Sequence, residues 1–165
     1  MTERKVIVVD EKDSPIGTKR WQELSAKDIY RASALWITNS NGDILLARRA
    51  FTKKHDPGKW GPAVAGTVEE GETYESNIIK EAEEELGLKN INPATGPNER
   101  TFGSTYTHFT QWFTLVVPSS QEFVVQKEEV AEIRWFSKKE LLQAIEEETH
   151  EFIPNMKRWA DSFCK

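Results

Sequence analysis

The segment that most constrains the fold of this chain runs from residue 63 to residue 88. Ala63-Val64-Ala65 predicts a short strand that stops at Gly66, and residues 72–86 contain neither glycine nor proline. Apolar side chains recur there at four-residue spacing and predict an amphipathic helix; they are Tyr74, Ile78, Ala82 and Leu86. Gly87 follows as the expected terminator, so a strand, a turn and a long helix must follow one another here.

Three glutamates stand on one side of this predicted helix. Glu81, Glu84 and Glu85 are spaced i, i+3 and i+4, and at about 100° per residue they project beside the apolar stripe. Carboxylates this close repel one another unless a cation neutralises them. Oxygen ligands favour a hard divalent ion, Mg²⁺ first and Mn²⁺ second. Glutamate-rich helices are also common as solvated faces, so the three glutamates alone leave both interpretations open.

The residues upstream of these glutamates favour the metal site. Gly66 follows the predicted strand, Glu72 comes six residues later, and Lys80-Glu81 follows eight residues after that. The run from Gly66 to Leu88 resembles the Nudix box, G-x5-E-x7-R-E-U-x-E-E-x-G-U, over 23 residues. The positions on pattern are Gly66, Glu72, Glu81, Glu84, Glu85, Gly87 and Leu88. The resemblance implies a hydrolase that uses divalent metal ions to cleave a diphosphate linkage.

Two positions depart from that pattern. Lys80 stands where the family has arginine, and Ala82 stands where it has a larger aliphatic residue. The family's arginine pairs with the early glutamate, which is Glu72 here, and helps to orient the catalytic carboxylates. Lysine keeps the charge but lacks the planar fork that grips a carboxylate with two bonds. The resemblance therefore implies catalytic roles for Glu72 and Lys80 and leaves their efficiency open, whereas Ala82 merely shrinks a core contact.

The same resemblance implies a metal site in which Glu81, Glu84 and Glu85 are joined by a backbone carbonyl at the turn of Ala65 and Gly66. One of the glutamates is alternatively the general base for the attacking water. The metal ions neutralise the diphosphate, lower the pKa of a bound water and align it for attack. Nudix enzymes often add a carboxylate from a later loop. A solvated acidic loop is an equal alternative for the candidates, which are Glu128, Glu129 and Glu132.

The resemblance extends to the isopentenyl-diphosphate isomerase-like branch of the superfamily. The segments that carry it are Val9-Asp10-Glu11-Lys12-Asp13, Pro15-Ile16-Gly17, Leu45-Leu46-Ala47-Arg48-Arg49, Lys53-Lys54, Pro57-Gly58-Lys59-Trp60, Trp135-Phe136 and Ser137-Lys138-Lys139-Glu140-Leu141. Isomerisation of a prenyl diphosphate is therefore a rival function. The isomerase needs a cysteine and histidines, but its Cys-Gly-His motif corresponds here to Ala65-Gly66-Thr67, and Tyr30 replaces another histidine. An alanine cannot move a proton, which argues against the isomerase activity while leaving the implied fold intact.

Basic residues surround the loop that leads to the box. Arg48, Arg49, Lys53 and Lys54 are candidate phosphate contacts, because guanidinium and ammonium groups bind phosphate oxygens well. Neighbouring residues of a strand alternate in direction, so one of the two arginines is expected to face the site. A solvated loop is the alternative for the lysines. Rings that could stack on a base are those of Trp60, Tyr106, Phe109 and Trp112.

The rest of the chain predicts strands on both sides of the central helix and helices at the end. A hairpin occupies about residues 5–20, and Asn41-Gly42 joins two apolar strands. A stretch punctuated by Pro93, Gly96 and Pro97 precedes a long strand from His108 to Val117. Ser137 begins a helix with a capping box, and a last helix begins near Pro154. With the resemblance, this predicts the α/β (α+β) class: a single Nudix domain over residues 1–165, an α/β/α sandwich with a mixed central β-sheet.

Composition narrows the set of partners. The 165 residues carry a formal charge of −5, which argues against binding to a nucleic-acid polymer or an anionic membrane. No apolar run approaches the roughly 18 residues of a membrane span, and the single cysteine, Cys164, excludes an internal disulfide. We expect a cytoplasmic enzyme that hydrolyses a small-molecule diphosphate of the nucleoside diphosphate-X type. A non-catalytic, nucleotide-sensing Nudix domain is the alternative from another class, and homodimer formation is left open.

Overall fold

The computed structural model describes residues 3–103 and 105–165. The strands in this part of the chain are β1 (Lys5–Val9), β2 (Pro15–Arg20), β3 (Ile29–Asn39), β4 (Ile44–Arg49), β5 (Trp60–Pro62), β6 (Val64–Thr67), β7 (Ala94–Phe102), β8 (Thr107–Val117) and β9 (Val130–Phe136). The helices are α1 (Tyr74–Leu86), α2 (Lys138–Glu147) and α3 (Met156–Phe163), with 3-10 turns at Trp21–Glu23 and Thr149–Glu151. Within the described ranges, no helix is long and apolar enough to cross a membrane.

Strand β3 is the centre of a mixed sheet. One edge pairs in parallel with β8, from Ile29 opposite Thr107 to Asn39 opposite Val117. The other edge is shared by β1, β6 and β4, all of them antiparallel to β3. Strand β4 continues the sheet to β5 and β9, and β8 continues it to β7. The predicted mixed sheet is therefore confirmed.

Alternate residues of β3 point to opposite faces of the sheet. Each face is covered by helices, so the sheet has a core on both sides. Leu35 and Ile37 pack with the apolar side of α1 in one core. Ala34 and Trp36 pack with α2 and α3 in the other core, where Trp112 is fully buried. Burying a large apolar side chain stabilises a fold by roughly 1.5–3 kcal/mol, so the side chains of each core stabilise the packing of the helices on the sheet. The layers form the predicted α/β/α arrangement.

Helix α1 is delimited by its own sequence. The Thr73 side chain accepts a hydrogen bond from the Ser76 N–H, and Ser76 Oγ accepts one from the Thr73 N–H at 2.9 Å. This reciprocal cap starts the helix at Tyr74 rather than at the predicted Glu72. Gly87 ends it with φ 68°, a left-handed conformation that glycine adopts without a Cβ clash.

The N-terminal hairpin of β1 and β2 is confirmed, and its turn docks onto the start of α1. Asp13 accepts hydrogen bonds from Tyr74 Oη at 2.8 Å and from Arg31 Nε at 2.8 Å. The Arg31 guanidinium also lies 4.9 Å from the centroid of the Tyr74 ring. Hairpin, sheet and helix are thereby joined at one end of the predicted catalytic segment.

The stretch punctuated by glycine and proline, where the sequence predicts no strand, forms strand β7. It pairs with β8, with a shift of register between Thr95 and Asn98. Gly96 and Pro97 fall within that irregularity, where the chain leaves the regular ladder and a missing N–H is tolerated. The sequence does not reveal this strand because its pairing partner, β8, lies later in the chain.

Candidate active site

The segment with the Nudix pattern folds as the end of β6, a loop and helix α1. Glu81 reaches back from the helix over Gly66: a Cβ atom on Gly66 would lie 2.5 Å from Glu81 Cγ. A glycine at this position therefore allows the carboxylate to approach the strand backbone closely. Ala65, whose carbonyl is the predicted metal ligand, is the exposed neighbour of Gly66 in β6.

Two of the three glutamates are partly buried, and their ionisation is disfavoured. Burial raises the pKa of Glu81 to about 7, with Lys80 opposing the rise and Glu84 adding to it by repulsion. Burial also raises the pKa of Glu85 to about 8, and the charges of Glu81 and Glu129 add to the effect. Glu84 itself is exposed. Glu81 and Glu85 therefore have too little positive charge around them to stay ionised readily, and a bound cation would supply it.

The donors around this helix face fit a hard divalent ion. They are carboxylate oxygens of Glu81, Glu84 and Glu85 on α1, the ligand type that Mg²⁺ and Mn²⁺ prefer. In the described parts of the chain, no three acidic, histidine or cysteine side chains are already gathered as a metal cage. Glu81, Glu84 and Glu85 are the side chains that would hold such an ion.

Glu72 and Lys80 form the ion pair that the resemblance implies, with Lys80 Nζ 2.5 Å from Glu72 Oε1. Lys80 Nζ also lies 3.7 Å from Glu81 Oε1. Burial opposes the ionisation of Glu72, but hydrogen bonds from Lys80, the Glu69 N–H and Asn77 outweigh it and lower the pKa of Glu72. Glu72 thus stays charged at neutral pH and anchors the lysine beside Glu81.

The two predicted arginines differ in their surroundings. Arg48 forms ion pairs with Glu132 at 3.1 Å and Glu151 at 3.4 Å, and its guanidinium lies over Trp60. Arg49 Nε instead donates to the His55 carbonyl at 3.0 Å, and of the two arginines it is the one whose charge acts on Glu85, where it opposes the rise in the pKa of that carboxyl. Arg49 is therefore the arginine on the side of the glutamates.

A carboxylate from a later loop also reaches this side. Glu129 Oε2 lies 2.6 Å from Lys53 Nζ, and both charges act on Glu85. Backbone bonds fix the loop: the Gln126 N–H donates to the Glu85 carbonyl at 2.9 Å, and the Ala50 N–H donates to the Glu129 carbonyl at 3.0 Å. The loop is thus tied both to the end of α1 and to the chain just after β4.

The remaining polar candidates lie elsewhere or face solvent. Glu128 and Lys54 are exposed, and Glu132 pairs with Arg48. Of the candidate aromatic residues, Trp60 and Trp112 belong to the core beneath α2 and α3. Tyr106 packs against Trp21, and Phe109 lies beneath the guanidinium of Arg100; these interactions already occupy rings that the sequence suggested for stacking.

Sequence reasoning missed Asn77, a fully buried polar residue of α1. Asn77 Nδ2 donates to Glu72 Oε2 at 2.9 Å and to the Thr67 carbonyl at 3.0 Å, and Asn77 Oδ1 accepts from Ser33 Oγ. The signal available in the sequence was the spacing of Asn77 from Lys80 and Glu81. A polar residue three positions before Lys80 and four before Glu81 lies on their side of a helix.

The NUDIX domain model matches residues 29–156, and the chain belongs to this family. It is similar to the isopentenyl-diphosphate Delta-isomerase of Salmonella typhi, with 31% identity over 157 residues that cover 88% of this chain and 83% of that protein. The protein of the same name from Salmonella heidelberg is 32% identical over 147 residues, which cover 82% of this chain and 78% of the relative. These relatives confirm the resemblance to the isopentenyl-diphosphate isomerase-like branch.

Solved structures share the fold. DR0079 from Deinococcus radiodurans superposes with a TM-score of 0.78 at 19% identity, covering 98% of this chain and 99% of that one. The MutT protein from Methanosarcina mazei Go1 superposes with a TM-score of 0.67 at 19% identity, covering 81% of this chain and 91% of the other. The sandwich described above is therefore the Nudix fold.

Proposed function

We propose that this chain is a Mg²⁺-dependent hydrolase of a diphosphate linkage in a small molecule of the nucleoside diphosphate-X type. The observation that carries the proposal is at Glu85, a partly buried carboxylate of α1: the loop bonded to its carbonyl carries Glu129, which pairs with Lys53 at 2.6 Å, and the charges of Lys53 and Arg49 act on Glu85. A diphosphate fits both kinds of group, because the carboxylates would hold a metal ion that offsets its negative charge and the cationic side chains would bind its phosphate oxygens. Membership of the NUDIX family supports this chemistry.

In this proposal, Glu81, Glu84 and Glu85 hold the ion together with the Ala65 carbonyl beside Gly66. When bound, Mg²⁺ (or Mn²⁺) neutralises the diphosphate and lowers the pKa of a coordinated water. One glutamate of α1 accepts the proton of the attacking water as its oxygen bonds to phosphorus. The bridging P–O bond then breaks and the second phosphate group leaves with the bond's electrons. Two phosphate-bearing products result, with the atoms of one water added.

The other charged residues have supporting roles in the proposal. Glu72 and Lys80 orient Glu81 through the ion pairs described above. Arg49 and Lys53 bind the phosphate oxygens, and exposed Lys54 extends the same basic loop. Glu129 is the additional metal ligand supplied by a loop, in preference to Glu128. Glu129 pairs with Lys53 here, so a metal held by Glu129 would leave Lys53 available to the substrate.

Isomerisation of a prenyl diphosphate is the second candidate, because the curated relatives are named for that reaction. Two observations argue against it. Ala65 and Thr67 stand where the isomerase has a cysteine and a histidine. The single cysteine, Cys164, is buried in the core beneath α2 and α3 rather than beside the Nudix helix. We therefore place hydrolysis first.

We also propose that residues 1–165 act as one Nudix domain in the cytoplasm. The hairpin of β1 and β2 supports one domain, since Asp13 joins it to Tyr74 of α1 and Arg31 of β3. The buried, unpaired thiol of Cys164 is compatible with a reducing compartment. A non-catalytic sensing role is less well supported, because a binding module gains nothing from crowded, partly buried carboxylates.

The experiment that tests the function is a panel of diphosphates incubated with Mg²⁺ in water labelled with a heavy oxygen isotope. The panel contains nucleoside triphosphates, dinucleotides, sugar nucleotides and isopentenyl diphosphate, and mass spectrometry identifies the products. Hydrolysis puts the label into one phosphate and locates the cleaved bond. Conversion of isopentenyl diphosphate to an unlabelled isomer would establish the second candidate instead. Saturable binding without turnover of any compound would establish the sensing role.

The Glu85→Gln variant supplies a sharper test of the metal site. We expect its activity to fall by about 100-fold, because it loses a charged metal ligand but keeps its volume. Glu83→Gln is the matched control, an exposed glutamate of the same helix outside the family pattern. Isothermal titration with Mn²⁺ should show weakened binding for Glu85→Gln alone. Equal activity and equal Mn²⁺ affinity in the two variants would contradict the assignment.

A further inference from the structure

Both carboxylate oxygens of Glu72 are held, but by different residues. Oε1 accepts from Lys80 Nζ, and Oε2 accepts from Asn77 Nδ2 and from the Glu69 N–H, each at 2.9 Å. The Glu72 side chain is 17% exposed, so little solvent competes for these bonds. Both oxygens of the Glu72 carboxylate are therefore hydrogen-bonded at the same time.

Lys80 alone does not account for these hydrogen bonds. An ammonium group is a point charge on a flexible stem and contacts one oxygen of Glu72 here. An arginine at the same position could contact both oxygens with the two arms of its guanidinium. The second oxygen is left to Asn77 and the backbone, so the hydrogen bonds that side chains donate to Glu72 are divided between two residues of α1.

Asn77 is itself fixed in place. Its amide makes one bond to each of three partners: Glu72, the Thr67 carbonyl and Ser33 Oγ. Ser33 belongs to β3 and is, like Asn77, fully buried. A buried amide costs free energy unless it is hydrogen-bonded, and an apolar residue would fill the same space in the helix without that cost. The three hydrogen bonds therefore offset the cost of burying this amide.

The position of Asn77 connects it to the candidate active site. A Cβ on Gly66 would lie 3.1 Å from Asn77 Oδ1 as well as 2.5 Å from Glu81 Cγ. Asn77 therefore lies beneath the same turn over which Glu81 reaches. Lys80 connects Glu72 to Glu81, since its Nζ lies 2.5 Å from Glu72 Oε1 and 3.7 Å from Glu81 Oε1.

We propose that Asn77 is a positioning residue that, together with Lys80, orients Glu72 and through it Glu81, with the amide supplying the hydrogen bond that a lysine cannot. The proposal rests on the proposed function for its kinetic consequences. Its structural core, the dependence of the Glu72 carboxylate on Asn77, stands independently of any activity. Asn77 is buried and contacts no substrate, so it acts on kcat through the carboxylates and leaves KM unchanged.

The test uses the full chain with Asn77→Ala, Lys80→Arg and the double variant. We expect Asn77→Ala to lower kcat by about 10- to 100-fold at unchanged KM, the usual range for residues that orient metal ligands. The effect of Lys80→Arg on kcat should be smaller in the original background, where Asn77 already donates to the second oxygen of Glu72. In the Asn77→Ala background, Lys80→Arg should recover at least about tenfold, because the guanidinium contacts both oxygens of Glu72. A residue that only supports the fold would not be rescued by this change.

Two further variants separate positioning from stability. Ser33→Ala removes the bond to Asn77 Oδ1 but leaves the Glu72 contact, so it should lower the melting temperature while kcat stays near the original value. Asn77→Ser keeps a small polar group that is too short to reach Glu72, and it should repeat the loss of kcat if Asn77→Ala does not fold. Equal kcat losses in Ser33→Ala and Asn77→Ser would assign Asn77 a structural role and overturn the proposal.

Crystal structures of the variants decide the matter even if the chain hydrolyses nothing. Glu72 should leave the Glu69 N–H in Asn77→Ala or Asn77→Ser and return to it when Lys80→Arg is added. A Glu72 carboxylate that stays in place without Asn77 would overturn the positioning role. Absence of turnover in the original chain would instead defeat the proposed hydrolysis, while the position of Glu72 would still test the inference.

Discussion

Gly66 and Glu81 are in such close contact that a single methyl group on the glycine would occupy the space of the Glu81 side chain, 2.5 Å from its Cγ. The strand and the helix therefore depend on each other at this point. The Glu81 carboxylate can take this position because Gly66 has no side chain, and because α1 carries Glu81 on the side that faces β6.

The Gly66→Ala variant should displace Glu81. We expect kcat of the proposed hydrolysis to fall by about 100-fold, since displacement of a catalytic group by about 1 Å has that effect. The clash should also cost about 1–3 kcal/mol in the free energy of unfolding. Gly17→Ala is the control, because a Cβ there meets no atom within 4 Å. Steady-state kinetics and urea unfolding of both variants are the measurements, and unchanged kcat in Gly66→Ala would refute the dependence.

Arg48 and Arg49 should respond differently to replacement. Arg49→Ala should raise KM by about tenfold or more with a small change in stability, because it removes a cation proposed to bind phosphate. Arg48→Ala should lower stability without raising KM, since Arg48 pairs with Glu132 and Glu151 and donates to the Gly58 carbonyl. KM and melting temperature, measured on both variants, test the assignment. A larger KM effect from Arg48→Ala would reverse it.

Glu129 and Glu128 form a second matched pair. Glu129→Gln should lower the activity and weaken Mn²⁺ binding by about 10-fold, because it removes a carboxylate near Glu85. Glu128→Gln should leave both unchanged, since Glu128 is exposed. Manganese titration followed by paramagnetic resonance measures the affinity. Similar affinities in the two variants would remove Glu129 from the proposed metal site.

His108 should make the stability of the fold depend on pH. Burial lowers the pKa of His108 to about 4, with a further contribution from Arg100, against an ordinary value of 6.5. Between these values the unfolded chain binds a proton that the folded chain does not. The contribution is fully present above pH 6.5 and is lost as the pH falls towards 4.

The loss at pH 5 should be about 1–2 kcal/mol relative to pH 7. Urea unfolding at the two pH values measures it, and His108→Gln should reduce the difference. His55→Gln removes an exposed histidine and serves as the control. If His55→Gln reduces the difference as much as His108→Gln does, the loss does not originate at the buried ring stacked on Tyr30.

Local features could be predicted from the sequence because short-range interactions decide them. The spacing of apolar residues defined α1, Gly87 ended it, and Ser137 with Glu140 capped α2 as expected. The spacing of Gly66, Glu72 and the glutamates also led to the family, which the domain match confirms. Strand β7 escaped prediction because its pairing with β8 outweighs the local preference of Gly96 and Pro97.

The sequence by itself determined the helix, the acidic residues on one of its sides and membership of the NUDIX family. Only the tertiary structure decided which charges meet there: Arg49 rather than Arg48, and Glu129 rather than Glu128 or Glu132. It also brought Ser33 and Asn77, which are far apart in sequence, into contact beneath Gly66. The reason is physical: periodicity sets the direction of a side chain on its own element, but burial and charge pairing depend on which elements the sheet brings together.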